Sequence, residues 1–575
     1  MVFACVLVCS PLAARVIYVD RDARNGARNG SSWADAYLTV AAGVAAALEG
    51  DELWVAEGIY MERIALDEKI ALYGGFAGTE AARSQRNWQT HPTTLDVLGG
   101  TGFTLNEPCR IDGFRVIRGV NGLQGGGIVC QAGGRESGTT STIANCVLDG
   151  NTGGWGGGLN CYNDRVEVVA CRITNNVGTE GGGIYAFDTM LAVKECVISG
   201  NFSPVDGGGI LARASGAVRG PVSCWVSAST FTLNRANNLG GGIYVATEAA
   251  VNAVFLVDRC VITGNQSTNG AGVELGGIGE VRDSLIANNL AGFMGGAVEG
   301  RRASMTLRNC TIARNQAAQF GALSSWESRL SAYNCILYEN GAAPIGGMMV
   351  VIDYCCYDGG FPAGPGTILG NPGFVAPDAG DFRVGPSSIC IDAGYHGELA
   401  AGQTRDLDGR ARIADGNRDG VAQLDMGAYE MVFWRDLVIR DFDFAPHTIR
   451  SGERVFFAGR VVNDGNLATT GTFWIEFLAS PRPDFSSPLY YLCRSYNVTA
   501  NLAPRQAVSL GGLLRTLDPP PSGPPGGLYY VGIRVDPLDE IDEANETNNF
   551  SWVPSQRLGV EPCPTEATPN WMLYR

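Results

Sequence analysis

Histidine and lysine are nearly missing from this chain of 575 residues. It has three histidines (His91, His396, His447), and only two of its 42 basic residues are lysine, Lys69 and Lys194. The histidines lie far apart, so there is no HxxxH zinc helix and little acid–base capacity near neutral pH. The excess of arginine over lysine reads as codon bias and says little about mechanism. No Asp-Asp dipeptide and no CxxC occurs, which removes zinc-ribbon and thioredoxin-type readings. No run approaches the ~18 apolar residues that span a membrane, and the last residues carry no LPxTG anchor. Positive charge is in deficit overall. The 58 acidic residues outnumber the basic ones and leave a net charge of −16. Such a surface repels phosphate backbones, so nucleic acid is not an expected partner.

Glycine is abundant, at 79 residues of 575, about twice the usual ~7%. It is neither a third of the chain nor strictly periodic, which excludes collagen, and an apolar content of 45% excludes wholesale disorder. The 17 cysteines mostly fall at one position of a repeat. That placement suggests a stack of small buried thiols that need no pairing. Residues 2–14 (VFACVLVCSPLAA) are short, apolar and end in small residues, like the core and cleavage region of a secretory signal peptide, although a basic start is missing.

The repeat decides the architecture. Cys-x-apolar-x-x-Asn, a polar loop and Gly-Gly-Gly-apolar recur from about residue 113 to 345. The lines begin at Cys146, Cys171, Cys196, Ser229, Cys260, Ser284, Cys310 and Cys335, in steps of 25, 25, 33, 31, 24, 26 and 25 residues. Fixed periods in this range mean a solenoid. The apolar pieces are three to six residues long, β-branched and followed by Gly or Asn, too short for helices. The expected fold is therefore all-β, a parallel β-helix with one coil per repeat. The asparagine column (Asn151, Asn176, Asn201, Asn234, Asn265, Asn289, Asn315, Asn340) predicts a ladder of stacked amides. The glycine column predicts positive φ and close approach of coils. Before the coils, VIYVD, a helix and DELWVAEGIY read as a cap. The helix would carry Tyr37, Val40, Val44 and Leu48 on one face, a capping box from Ser32 and Asp35, and Gly50 as its stop.

SSWADAY (31–37), LYGGFAGTE (72–80), IDGFRV (111–116) and the CxIxxN…GGGI coils resemble bacterial right-handed parallel β-helix repeat proteins of the pectate-lyase-like superfamily. GNPGFV, GDFRVGPSSICIDAG, DLDGRAR and LDMGAYE, between 370 and 430, resemble the choice-of-anchor Q region that follows such helices in surface proteins. From 436 onward glycine clusters vanish and alternating strands appear. DLVIRDF, VVNDGN and VDPLDEIDEANETNN (535–549) resemble the CARDB domain, an immunoglobulin-like module of exported proteins. The expected division is a signal peptide (1–14), an N-terminal cap with the first coils (15–100) and the β-helix (101–369). A choice-of-anchor Q-like C-terminal cap (370–433), a CARDB-like β-sandwich (434–560) and a tail (561–575) follow.

The Gly triplets recur with no helix after them, so they are repeat structure and not a nucleotide loop. Acidic residues on the coils are sparse, Glu274 and Glu299 among them. Glu180 and Asp206 occupy the same loop of successive coils, with Arg213 and Arg235 on nearby coils; together they are the candidate catalytic group. In the resembled superfamily, lyases bind Ca²⁺ with carboxylates and abstract a proton with Arg or Lys, and hydrolases use paired acids. Aromatics at the loop position, Trp155, Phe293 and Phe320, with Phe202 nearby, are candidate sugar contacts; Trp225 and Trp326 lie elsewhere on the coils. DGNRDG (415–420) resembles a calcium loop, with Asp415, Asn417, Asp419 and Asp425 as candidate ligands; it departs from an EF-hand, whose Glu stands at position 12. In the sandwich, Asp536, Glu543, Asn545, Glu546 and Asn548 crowd one loop before the last strand; they read as turn chemistry by Asx residues, with metal or ligand binding as the alternative. The expectation is a monomeric, exported, cell-surface or secreted protein that binds a polysaccharide or envelope surface in an adhesive or structural role. The alternatives are a polysaccharide lyase, calcium-assisted, or a hydrolase, and a passive stalk.

Overall fold

The structure is a computed structural model. It describes residues 14–561 apart from 25, 134–137, 216–221, 248–252, 342, 360–363, 401, 418, 434, 451–452, 470–471, 486–488, 500, 511–512, 517–526, 538–540, 542, 544–547 and 555. The expected signal peptide, up to residue 13, and the tail from 562 lie outside the described residues. Two compact units emerge, Met1–Met431 and Val432–Arg575.

The first unit is a parallel β-helix. Each coil lays one short strand on each of two sheets and one or two on a third, and successive coils pair parallel. On the first sheet Val147–Asp149 pairs with Arg172–Thr174, which pairs with Val197–Ser199, then Thr230–Thr232. The middle residue of each such strand points inward: Ile173, Ile198, Phe231, Ile262, Ile286, Ile312 and Leu337 are all fully buried. The second sheet runs from Val120–Asn121 to Leu290–Met294. The third takes the strands after the glycines. In the early coils these are two pieces, such as Ile184–Phe187 and Met190–Lys194; from Val273–Arg282 onward they fuse into single strands of nine to eleven residues, such as Val298–Arg308 and Leu323–Tyr333.

Between first and second sheets the chain turns on the asparagine ladder. Asn201 shows its bonding. Its Oδ1 accepts from the Asn176 backbone N–H and amide, both at 3.0 Å, while its Nδ2 donates to Ile173 O and to Asn234 Oδ1, both at 2.9 Å. The pattern repeats from Asn151 to Asn340. These buried amides satisfy backbone groups at a corner where no strand pairing reaches them. Before each strand of the first sheet the cysteine column does similar work. Cys196 Sγ accepts the Cys171 N–H at 3.4 Å, and Ser229 Oγ accepts the Cys196 N–H at 3.0 Å. Serine substitutes there because the site asks for a small acceptor. The thirteen described cysteines of the unit are all free and buried. At the glycine corner Gly207 has φ +68°, and a Cβ on Gly209 would sit 2.4 Å from the Gly242 carbonyl oxygen of the next coil.

The N-terminal helix is shorter than the sequence pattern predicts. It spans Val40–Ala46 with Thr39 as N-cap, whose side chain accepts from Ala42 N. Two physical constraints set its start. Tyr37 is bridged to Val19 in extended backbone, and the Glu62 carboxylate takes the N–H groups of Val40 and Ala41 at 2.9 and 2.8 Å. Ser32 and Asp35 bond each other in a preceding turn, not a capping box. Leu48 lies beyond the helix and is exposed. Gly43 lets the helix sit on Ile17, Val19 and Leu53, closing the first coil.

Residues 370–431 run back along the side of the solenoid. Phe382, Ala428 and Tyr429 cover Leu285, Ala287 and Ala313, which point outward from the first sheet. Arg412, 1% exposed, pins the segment. It pairs with Asp283 at 2.8 Å and Glu430 at 2.6 Å, and donates to Asn309 O and Gly427 O. Gln403 also bonds Asp283.

The second unit is a β-sandwich. Leu437–Ala445, Arg454–Asn463, Ala507–Ser509 and Leu513–Thr516 form one sheet; Thr472–Ser480, Tyr490–Thr499, Gly527–Val535 and three shorter strands form the other. Phe457 and Phe477 stack at 4.0 Å between centroids. In its acidic loop Asp536 accepts from Ile541 N within a turn, while Asn548 donates to Asp436 and Glu543 accepts from Leu437 N, long-range links to the start of the strand Leu437–Ala445; Asn545 and Glu546 lie outside the described residues.

An Asn201→Ala change removes four buried hydrogen bonds and leaves the Asn176 backbone N–H without its acceptor. The expected cost is about 3 kcal/mol or more. Chemical denaturation reads that loss, and hydrogen exchange should place it in the coils from 171 to 234.

Candidate functional site

Side chains that point outward from the third sheet stand in columns, because each coil places the same strand position one rung, about 4.8 Å, above the last. The residue two after the Gly-rich corner is Asn160, Tyr185, Leu211, Tyr244, Glu274 and Glu299 in successive coils. Two positions further on stand Tyr162, Phe187, Arg213, Ala246 and, in later coils, Arg301 and Trp326. Just before the corner stand Trp155 and Glu180, paired directly, then Asp206.

The candidate acids separate. Asp206 does follow Glu180 by one coil, its carbonyl accepting the Gly181 N–H at 2.9 Å. Glu180 turns to Arg213 at 3.2 Å. Asp206, 7% exposed, accepts from Asn238 Nδ2 at 2.9 Å and Leu239 N at 3.1 Å. Burial raises its pKa above the ordinary aspartate value against those bonds. Arg235 lies on the second sheet with its guanidinium over Phe202 at 5.7 Å. It does not join the acids.

Sequence reasoning missed a second acidic pair. Glu274 and Glu299 face each other across one rung, and both are fully buried. Arg301 bridges them, Nε to Glu274 at 3.3 Å and Nη2 to Glu299 at 3.1 Å. Both oxygens of Glu274 and Oε2 of Glu299 have no hydrogen-bond partner among the described residues. Burial, then the neighbouring Glu299, pushes Glu274 well above the ordinary glutamate pKa; burial likewise raises Glu299. Burial would lower Arg301, but the two glutamates outweigh it and its pKa is raised. One guanidinium cannot neutralise two carboxylates, so proton uptake by the pair is favoured. Asp206 and Tyr244 lie within electrostatic range of Glu274. The signal was in the repeat: GAGVE (270–274) and GGAVE (295–299) put glutamate at one column position in consecutive coils.

The aromatics divide as well. Trp155 stacks on Tyr185 at 6.2 Å, and Tyr162 on Phe187 at 5.4 Å with planes 3° apart. Trp155 and Tyr162 still remain about half exposed, whereas Tyr185 is buried and its burial raises the hydroxyl to about 12. Phe293 is exposed, while the Phe320 ring covers Gly346. Trp225 and Trp326 are 53% and 54% exposed and stand in no ring pair among the described residues. Trp225 walls a depression of about 220 Å³, lined also by Arg165, Glu167, Met190, Ala192 and Ser223. Arg165 and Glu167 are exposed, and Ala192 and Ser223 form a small-residue floor beside the indole.

The calcium-loop residues stand in two groups linked through Asp392, whose carboxylate accepts from Gly416 N and Asn417 N. Asp415 accepts from Asp419 N and Gly420 N, and Asn417 from Asp419 N, so the loop's own N–H groups take these oxygens. Asp425 is fully buried and accepts from the N–H groups of Asp392 and Met431; burial raises its pKa to about 7. Its Oδ1 lies beside the loop, 3.4 Å from where a Cβ on Gly416 would stand. Among the described residues no group of three or more His, Cys, Asp or Glu is arranged to hold a metal ion. No described helix is long and apolar enough to cross a membrane.

No protein-family model and no curated protein matches the chain. Solved structures do. Pectate lyase Pel9A aligns at 15% identity over 73% of this chain and 97% of its own, with a TM-score of 0.40. XylC in complex with xylose aligns at 9% identity over 72% and 98%, with a TM-score of 0.38. The CARDB domain of a Pyrococcus furiosus protein in complex with di-metal ions aligns at 17% identity over 23% of this chain and 98% of its own, with a TM-score of 0.17.

Raised pKa values make the Glu274–Glu299 pair a source of stability at low pH. The folded state binds a proton that the unfolded state releases near pH 4.5, so the contribution is full below that and falls as pH rises toward the folded pKa values. Denaturation of wild type and Glu274→Gln at pH 4.5, 6 and 8 should show the wild type losing stability relative to the variant with rising pH, at most about 1.4 kcal/mol per unit.

Proposed function

We propose that this is an exported glycan-binding protein of the cell surface or its surroundings. Its β-helix would hold polysaccharide along the third sheet, and the CARDB-like sandwich would serve as spacer or adhesion module. The observation that supports this reading is the depression at Trp225. An exposed indole offers a flat apolar face to the C–H side of a sugar ring, while Arg165 and Glu167 offer a donor and an acceptor to its hydroxyls. Open faces of this kind suit a polymer lying along the rod, one rung of the sheet being close to the length of one sugar unit.

A second reading, a polysaccharide lyase or hydrolase, is favoured by one feature: an acid pair with raised pKa values beside Arg301 on the same face. Both carboxylates lie beneath that arginine, and Glu180 is tied to Arg213. Binding without turnover is the simpler use of this surface.

The purified protein is incubated with plant, algal and bacterial polysaccharides, with calcium or chelator, and bound protein and released sugar ends are measured together. Binding without release is expected, and Trp225→Ala should weaken it about tenfold, the worth of one ring contact. Release of sugar ends would replace the binding reading with the enzymatic one. Full affinity in Trp225→Ala would move the site elsewhere.

A further inference from the structure

Arginine gathers where the covering segment meets the coils. A cavity of about 90 Å³ opens there, with Asp258, Arg259, Arg282, Asp283, Gln403 and Arg405 round it. Asp258 and Arg282 are direct partners on adjacent rungs, and the Arg259 N–H donates to the Arg282 carbonyl at 3.1 Å. The coils thus set two guanidiniums side by side, and Arg405 brings a third from the covering segment. Nearby carboxylates do not balance them. Asp258 takes both Arg259 Nε at 3.3 Å and Arg282 Nε at 2.8 Å. Asp283 faces Arg412 and Gln403. With Arg412 and its second partner Glu430 included, Arg259, Arg282, Arg405 and Arg412 stand against Asp258, Asp283 and Glu430. Among the described residues nothing accepts from the Nη groups of Arg259 or Arg282, and Arg405 uses only Nη1, on Gly409 O at 2.6 Å. The Arg282 side chain is only 18% exposed. Positive charge held in excess and half buried is costly unless something answers it, and this chain has a net charge of −16.

We propose that this cavity binds a tetrahedral oxyanion of the phosphate or sulfate type, held between the coils and the covering segment. One water needs only ~10–15 Å³, so the cavity has room for a polyatomic ion. Guanidinium forks donate N–H groups in pairs to such oxygens. Arg259 and Arg282 supply donors from the coils and Arg405 from the cover, so the anion ties the cover down at a second point beside Arg412. Two sources carry this chemistry: a free inorganic ion, and a phosphate or sulfate ester on a sugar. Gly402 and Thr404 are exposed at the rim, where an ester would enter.

The full chain is titrated with inorganic phosphate and, separately, sulfate by calorimetry at fixed ionic strength, and melted over the same concentrations. One saturable site is expected, with a Tm that rises as the site fills; general salting effects rise without saturating. Arg405→Gln should weaken the bound ion at least tenfold. Its exposed side chain gives up a single bond, to Gly409 O, so the fold is kept. Arg302→Gln, in an exposed ion pair that does not line the cavity, should bind as the wild type does. Glucose 6-phosphate is the second arm: affinity within a few-fold of phosphate assigns the ester as the source, and loss of binding assigns the free ion. No saturable binding of either inorganic ion, or equal affinity in Arg405→Gln, would overturn the proposal.

Discussion

The structure depends on one constraint: every coil must lie on the last at the parallel-strand spacing, with the same residue in the same place. A solenoid built this way buries a continuous core of single columns, such as Ile198, Phe231 and Ile262. It also buries the backbone at each corner, where strand pairing stops. Those corners are the costly part, and the sequence spends its most regular residues there. The asparagine ladder satisfies one corner, the cysteine and serine column another, and the glycines let carbonyls pass at contact distance at the third. Small polar groups that bond upward and downward make the corners as repetitive as the strands.

The same spacing governs the outer face. Whatever stands at one position of consecutive coils is brought within a rung of its like. Aromatic side chains so placed stack on one another, as Tyr162 and Phe187 do. Carboxylates so placed repel, and Arg301 lies over both Glu274 and Glu299, whose pKa values burial raises. Glu180 and Asp206 avoid the conflict by turning to different partners. Trp225, with Ala192 and Leu256 beside it on adjacent coils, stays about half exposed.

The covering segment shows how the outside of the first sheet adapts. Outward positions carry Val197 and Ser199 in an early coil but Leu285 and Ala287 under the cover, where they are buried. Arg412 supplies the specific link, since a buried guanidinium with two carboxylates and two carbonyls fits in one place only. Orientation comes from this polar contact, and most of the burial from Phe382, Ala428 and Tyr429.

Periodicity alone determined the β-helix, the roles of the asparagine and glycine columns, the free thiols of the ladder and the change of character after residue 436. These follow from local spacing, which a repeat writes into every line. The extent of the first helix depended on a bridge from Val19 to Tyr37 and on Glu62 reaching its N–H groups, contacts that lie 18 and 22 residues apart in the chain. The course of residues 370–431 depended on Asp283, 129 residues before Arg412. Side-chain direction decided the site. A column position tells which residues are neighbours, whereas whether Glu180 meets Asp206 or Arg213, and whether Asp425 faces the loop or the interior, is set by which buried donors stand nearby. Only the folded chain brings those donors into place.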